Sequence, residues 1–298
     1  MQSNSKSITK KAPDSVSNNL IETGALFRLA LPLMGTQIAQ MGMGLLDTIM
    51  AGRYSSTDLA GVALGSSILW PLMLLVMGVL QAITPTVSQL NGAKKHEEIG
   101  EVIRQGLWIA IAGGLFIAFV LNQIGFVYEL LDVDPKARPI ATAYLQMTSF
   151  GIPAVTCHFC LRFLAEGMNF TKPALYIALC GLILKAPLNY VLIYGKLGLP
   201  ELGGVGCGIA QAVIMWFQLG AILLIVSQPK FNKTRWREKF SNPEWSKIKP
   251  LLALGIPIGV TIFAEMGLFS LTTLLLGRYG AEVVASHNIS MSINGLFF

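Results

Sequence analysis

The sequence predicts an all-α, polytopic membrane protein with a parallel six-helix repeat, in which the first bundle is complete and the second is truncated in its second helix. Two observations predict this class. Hydrophobic residues make up 53% of the 298 residues and charged residues 13%, with a mean hydropathy of +0.60. These values lie outside the range of soluble globular domains. In addition, the chain aligns with itself at a fixed offset, which indicates an internal repeat.

Apolar segments long enough to cross a membrane recur along the whole chain. Four of them contain no Asp, Glu, Lys or Arg, namely 59–93, 105–128, 139–161 and 202–229. Three others carry an ionisable residue inside the segment: Asp47 in about 26–50, Lys185 in 173–195 and Glu265 in 251–277. A further apolar segment begins near residue 283. The sequence therefore predicts seven membrane spans and the start of an eighth.

Basic residues are distributed unequally between alternate loops. If the N-terminus is cytoplasmic, sixteen Lys and Arg residues fall on the cytoplasmic side and five on the outer side. Such a bias is typical of the cytoplasmic loops of membrane proteins. We therefore expect a multi-pass protein of the bacterial inner membrane with a cytoplasmic N-terminus. The net charge of +6 needs no nucleic-acid partner to explain it.

The repeat appears when the sequence is shifted by 225 residues, so that 26–63 aligns with 251–288 without a gap. Pro32 then meets Pro257, and the Gly-Arg-Tyr that ends at Tyr54 meets the one that ends at Tyr279. Six spans separate the copies, and an even number makes the repeat parallel. The predicted organisation is a polar cytoplasmic N-terminus, a first six-helix bundle, a basic cytoplasmic linker and the start of a second bundle, at 1–25, 26–227, 228–250 and 251–298. Within the linker, Asn242, Pro243 and Glu244 predict the start of a short interfacial helix that leads into the seventh span.

Ionisable residues inside a membrane span are costly and mark functional sites by default. Under the 225-residue offset Glu265 corresponds to Gln40, and Asp47 corresponds to Thr272. Gln40 and Asp47 lie seven residues apart, as do Glu265 and Thr272, so each of these pairs lies on one helix face. Each half thus has a polar stripe on its first helix, with the carboxylate at a different level. A carboxylate that a proton or small cation neutralises supports exchange of that ion for a cationic solute.

Lys185 lies near the middle of the fifth span, with Asn189 four residues later on the same face. A buried lysine needs a partner, and Asp47 is the best candidate in the same half. The alternative is a lysine that faces a cavity or extends toward the interface without a specific partner. If the pair forms, protonation of Asp47 is a simpler coupling event than sodium binding beside an ammonium group. Bent helices are expected at prolines inside spans: Pro32, Pro187 and Pro257.

Four stretches carry a family resemblance: QMGMGLLDTIMAGRY, LRFLAEGMNFTKPALY, PLNYVLIYGKLGLPELGGVGCGIA and AEMGLFSLTTLLLGRYG. They resemble the multidrug and toxin extrusion family, in its bacterial NorM-like branch, from about residue 22 onward. The resemblance implies a fold of twelve helices in two six-helix bundles around a V-shaped cavity. It also implies export of cationic, amphipathic drugs in exchange for sodium ions or protons, by a protein that we expect to be monomeric.

The resemblance also implies roles for single residues. Asp47 matches the family's first-helix aspartate and Glu265 its seventh-helix glutamate, both associated with cation coupling. Asn189 matches an amide of the fifth helix near that aspartate. Together with the repeat, this predicts that Gln40, Lys185, Asn189 and Thr272 line the substrate cavity or support coupling. Lys185 departs from the uncharged polar residue expected at its position, which puts the usual cation site of the first half in doubt. No cofactor or resident metal is expected besides the coupling ion.

Two other functions remain open. A flippase for lipid-linked precursors has a related architecture, but it would need several cavity-facing Arg or Lys residues to hold an anionic headgroup. A channel or receptor belongs to another class and would not need two unequal carboxylates on repeated helices. An enzyme is not expected, because no nucleophile, base and acid occur at usable spacing.

Overall fold

A computed structural model describes residues 15–131, 133–237 and 241–297, so most of the predicted N-terminal segment 1–25 lies outside the described residues. The described part contains helices and no strand, which confirms the all-α class. The first six helices are α1 (Ser15–Tyr54), α2 (Ser56–Gln81), α3 (Ile83–Gly92), α4 (His96–Gln123), α5 (Gly125–Leu130) and α6 (Arg138–Ser149). The others are α7 (Ile152–Gly167), α8 (Lys172–Ile193), α9 (Gly204–Val226), α10 (Trp245–Leu276) and α11 (Ala281–Phe297).

Five helical stretches of the described residues are long and apolar enough to cross a membrane. They are Ser56–Gly92, His96–Gln123, Lys172–Ile193, Gly204–Val226 and Trp245–Tyr279. The other predicted spans correspond to α1, to α6 together with α7, and to α11. The chain is therefore a multi-pass membrane protein. The predicted division into two bundles and a linker stays a prediction.

The span predicted at 139–161 is interrupted and extends further than expected. α6 ends at Ser149, α7 begins at Ile152, and α7 continues to Gly167. Pro153 lies in the first turn of α7, where its missing N–H costs no helical hydrogen bond. A Cβ added at Gly151 would lie 2.8 Å from the Cα of Ala212, so the break also lets this turn approach α9 closely.

The helix start predicted at Asn242, Pro243 and Glu244 is confirmed, but the prediction of a short interfacial helix before the seventh span is wrong. The helix begins at Trp245, directly after Glu244, and runs without a break through Pro250 and Pro257 to Leu276. Inside a bilayer every backbone group must find a partner within the protein, which favours one continuous helix over two that are separated by a turn. Pro243 precedes the helix and therefore does not interrupt it.

Helices α2 and α10 join the two predicted halves through glycine contacts. A Cβ added at Gly78 of α2 would lie 2.5 Å from the Cα of Gly259, and one added at Gly255 would lie 2.2 Å from the backbone oxygen of Val79. Gly255 and Gly259 form a Gly-x-x-x-Gly pattern, which lets two membrane helices approach at backbone distance. This crossing therefore sets how closely the halves approach each other.

The linker packs against the start of α4. We call this end of the helices the linker end. The Glu101 carboxylate pairs with Arg104 and with the Lys247 ammonium, 3.3 Å away, and accepts a hydrogen bond from the Ser241 hydroxyl at 3.0 Å. The Gln105 amide donates to the Asn242 carbonyl at 3.0 Å and accepts from the Glu244 N–H at 2.9 Å. These contacts fix the start of α10 relative to the first half of the chain.

Candidate functional site

A buried ion pair lies between α1 and α8. The Lys185 Nζ is 2.7 Å from the Asp47 Oδ2, and the two residues are 1% and 7% exposed. Asp47 lies two turns before the end of α1, and Lys185 lies in the second half of α8. The helices approach because Gly35 and Gly42 of α1 face leucines of α8. The predicted pairing of these two residues is therefore present.

Two amides complete the polar cluster around this pair. The Asn189 Nδ2 donates to the Asp47 Oδ1 at 2.7 Å, and the Lys185 Nζ donates to the Gln211 Oε1 of α9 at 2.5 Å. Asn189 is fully buried, and its Oδ1 has no hydrogen-bond partner among the described residues. A buried acceptor without a donor is unfavourable, so this oxygen is a place where a proton donor or a cation could be accommodated.

The ion pair depends on both of its charges. The Asp47 carboxylate and the Lys185 ammonium neutralise each other inside an apolar environment. Loss of either charge would leave the other buried without a counter-ion, which is strongly unfavourable. Pro187 lies inside α8 between Lys185 and Asn189, where it removes one backbone hydrogen bond.

The predicted site residues of the second half lie apart from this cluster. Glu265 and Thr272 are exposed on α10, and the Thr272 hydroxyl donates to the Leu268 carbonyl at 3.1 Å. Gln40, the supporting residue predicted in the first half, is half-buried on α1 and precedes Asp47 by about two helical turns. In the described part of the chain, none of these three side chains forms a hydrogen bond with Asp47. Their roles in coupling stay predictions.

The predicted proline positions show the same local structure in both copies. The Thr36 hydroxyl donates to the Pro32 carbonyl at 2.8 Å, and the Thr261 hydroxyl donates to the Pro257 carbonyl at 2.9 Å. In each case the threonine hydroxyl bonds the carbonyl one turn earlier, as Ser and Thr side chains often do inside helices. This recurrence fits the predicted 225-residue repeat, although the repeat itself remains a prediction.

A cavity of about 610 Å³ separates α1 from α11 at the end opposite the linker. Its wall includes Thr48, the neighbour of Asp47, together with the charged residues Arg53 and Glu282. The Asn288 amide of α11 lies 3.4 Å from the Thr48 hydroxyl, so the two helices also meet through a hydrogen bond. The cavity is largely apolar and carries one charge of each sign, a composition suited to an amphipathic ligand.

Sequence reasoning missed one residue of the cluster. Gln211 accepts a hydrogen bond from Lys185, and the available signal was a polar residue within an otherwise apolar span.

Three of the four residues of the buried cluster lie in a segment that matches a known protein family. The MatE family model matches residues 32–191, which include Asp47, Lys185 and Asn189. The chain belongs to the MatE family. It is 41% identical to the "Probable multidrug resistance protein NorM" of Pasteurella multocida (strain Pm70), over 93% of this chain and 60% of that protein. It is 38% identical to the "Multidrug resistance protein MdtK" of Yersinia pestis (strain Pestoides F), over 94% of this chain and 62% of that protein.

Solved structures of MatE-type transporters show the same fold. The structure of the MATE transporter NorM-NG, solved as a complex with a monobody, matches with a TM-score of 0.73 and 31% identity, covering 91% of this chain and 60% of that one. The eukaryotic MATE transporter AtDTX14 matches with a TM-score of 0.81 and 19% identity, covering 93% of this chain and 62% of that one. The chain thus spans about 60% of the length of the relatives that it matches.

Proposed function

We propose that the full-length protein to which this chain corresponds exports cationic, amphipathic compounds by antiport with a cation. The relatives named as multidrug resistance proteins support drugs as substrates, and the membrane helices support transport across a bilayer. The two halves would move against each other and expose the space between them to each side in turn. The proposed location is the bacterial inner membrane, with the N-terminus in the cytoplasm.

The observation that carries the proposal is the buried pair of Asp47 and Lys185. An ionisable pair inside membrane helices is expensive to maintain and is typical of ion pathways and proton relays. Protonation of Asp47 would release Lys185 and so link the charge state to the arrangement of α1 and α8. This link is what an antiporter needs to exchange an ion for a solute.

We propose protons as the coupling ion at this cluster. The Lys185 ammonium already donates to one oxygen of Asp47, and the Asn189 amide donates to the other. A sodium ion would have to displace at least one of these donors and would be repelled by the ammonium. A proton needs no coordination shell, because it binds one carboxylate oxygen directly.

The cavity between α1 and α11 argues against the flippase alternative. An anionic lipid headgroup would require an excess of Arg or Lys. The lining of this cavity instead contains Arg53 opposed by Glu282, so its charges balance. A largely apolar cavity without net positive charge is better suited to an amphipathic cation.

Substitution of Asp47 by asparagine in the full-length protein is expected to abolish efflux of a fluorescent lipophilic cation, because asparagine cannot take up and release the proton. Glu265→Gln is expected to have a similar effect, since it removes the carboxylate that we assign to the second half. Efflux would be measured in a drug-sensitive bacterial strain, with membrane abundance quantified in parallel.

Glu98→Gln is the matched control, because Glu98 is an exposed carboxylate that pairs only with Lys95 in the described residues. This variant should keep normal efflux. Unchanged efflux in Asp47→Asn at normal abundance would refute the assignment of coupling to the buried pair. Unchanged efflux in Glu265→Gln alone would remove only the second-half carboxylate from the account.

A further inference from the structure

An apolar groove of about 720 Å³ lies at the linker end, between α2 and α4 on one side and α10 on the other. Its size falls within the roughly 300–1,000 Å³ typical of ligand sites. Val76, Ala112 and Ile256 represent its aliphatic lining, and two tryptophans, Trp108 and Trp245, lie nearest the linker. The Trp108 indole N–H donates to the Ser241 carbonyl at 3.0 Å, so its polar atom is occupied by the linker.

Under the predicted 225-residue repeat, we expect the α10 wall of this groove to face away from its own half. Under the 225-residue offset, Ile256 corresponds to Leu31 of α1. Leu31 is 69% exposed, although the six predicted spans of its own half are all present. The equivalent face of the first helix is therefore not covered by the first bundle. This equivalence indicates that the groove is open to lipid.

A basic residue lies at the mouth of the groove. Lys249 is exposed and lies one turn after Trp245, on the same face of α10 as the lining residues Leu252 and Ile256. The nearby carboxylates of Glu101 and Glu244 are paired with Arg104 and Lys247, so Lys249 is the one charge left over among these five residues. An anionic group at this level would therefore meet one positive charge in excess.

We propose that this groove binds an acyl chain of an anionic phospholipid, with the headgroup against Lys249. Tryptophan at the rim and a lysine whose side chain extends to the interface are both typical of the headgroup region of a bilayer. Basic residues next to a membrane span attract anionic lipids. Zwitterionic lipids offer the same acyl chain but no net charge, so the groove discriminates by headgroup.

A lipid at this position would contact both halves of the protein. Its acyl chain would touch α2 and α4 of the first half and α10 of the second. A ligand shifts an equilibrium between two arrangements only when it binds them unequally. Because the three helices together form the groove, a change in their spacing would alter it, so we expect the bound lipid to favour this arrangement.

The test uses the fluorescence of Trp108 in the full-length protein, with Trp70, Trp216, Trp236, Trp245 and any other tryptophan replaced by phenylalanine. The protein is reconstituted into vesicles of unbrominated phosphatidylcholine. Increasing fractions of one brominated lipid are added, either phosphatidylglycerol or phosphatidylcholine with bromine on its acyl chain. Brominated phosphatidylglycerol should reach half-maximal quenching at a mole fraction roughly fivefold lower than brominated phosphatidylcholine, as expected for one basic contact. Equal quenching by both lipids, or by neither, would overturn the proposal.

Three variants locate the effect. Lys249→Glu should abolish the preference for phosphatidylglycerol, and Ala112→Leu should reduce quenching by both lipids because the longer side chain fills the groove. Lys172→Glu is the matched control, since Lys172 is an exposed lysine at the start of α8 and does not line the groove. If Lys172→Glu removed the preference as fully as Lys249→Glu, general surface charge would explain the result and the site would be refuted.

Discussion

Replacement of Lys185 by methionine is expected to destabilise the full-length protein by about 3–5 kcal/mol, because it leaves the Asp47 carboxylate buried without its counter-ion. Methionine has a similar length and no charge, so the change mainly removes the ammonium and its two hydrogen bonds. The double variant Asp47→Asn with Lys185→Met should recover most of this loss, since replacing both members of a buried pair is often nearly neutral. Thermal unfolding of the purified protein in detergent measures both effects.

Lys95→Met provides the matched control for this measurement. Lys95 pairs with Glu98 at 2.9 Å, close to the distance in the buried pair, but both side chains are more than half exposed. An exposed pair of this kind contributes roughly 0–1 kcal/mol. If Lys185→Met lowered the stability no more than Lys95→Met, the buried pair would not have the structural role described here.

Alanine at Gly78, Gly255 or Gly259 is expected to separate α2 from α10 and to cost about 1–3 kcal/mol each, because the added methyl group meets backbone atoms that cannot rotate away. The contacts would be 2.5, 2.2 and 2.6 Å, respectively. Since this crossing connects the two halves, we also expect reduced efflux. Thermal unfolding and dye efflux of the full-length variants test the two expectations separately.

Gly220→Ala is the control for the glycine series. Gly220 lies in α9, and a Cβ added there would meet no atom within 4 Å. In an open helical position alanine is favoured over glycine by about 1 kcal/mol, so this variant should be as stable as the parent or more so. If the alanine variants of Gly78, Gly255 and Gly259 behaved like Gly220→Ala, this result would contradict the close approach of α2 and α10.

The general fold could be predicted because its signal is spread over long segments. Uninterrupted apolar runs predicted the membrane helices, and the need of a buried lysine for a counter-ion led from Lys185 to Asp47. Local breaks were less predictable. The turn at Phe150 and Gly151 lies inside an apolar run, and nothing in hydropathy distinguishes it from a continuous helix.

Residues that act through packing were the hardest to predict. Gln211 was visible as a polar residue in a span, but its direction toward Lys185 depends on how α8 and α9 pack. Gly255 and Gly259 carry the Gly-x-x-x-Gly pattern, yet the partner helix α2 contributes only one glycine to the crossing, at Gly78. The coupling role of Glu265 depends on its surroundings in the full-length protein and stays a prediction.

The most direct test of proton-coupled export is transport of a lipophilic cation into inverted membrane vesicles that contain the full-length protein, with pH and sodium gradients imposed separately. An acidic vesicle interior should drive accumulation of the cation, and Asp47→Asn should prevent it. A sodium gradient at uniform pH should drive none. Accumulation driven by sodium alone, and unaffected by the pH gradient, would contradict the account.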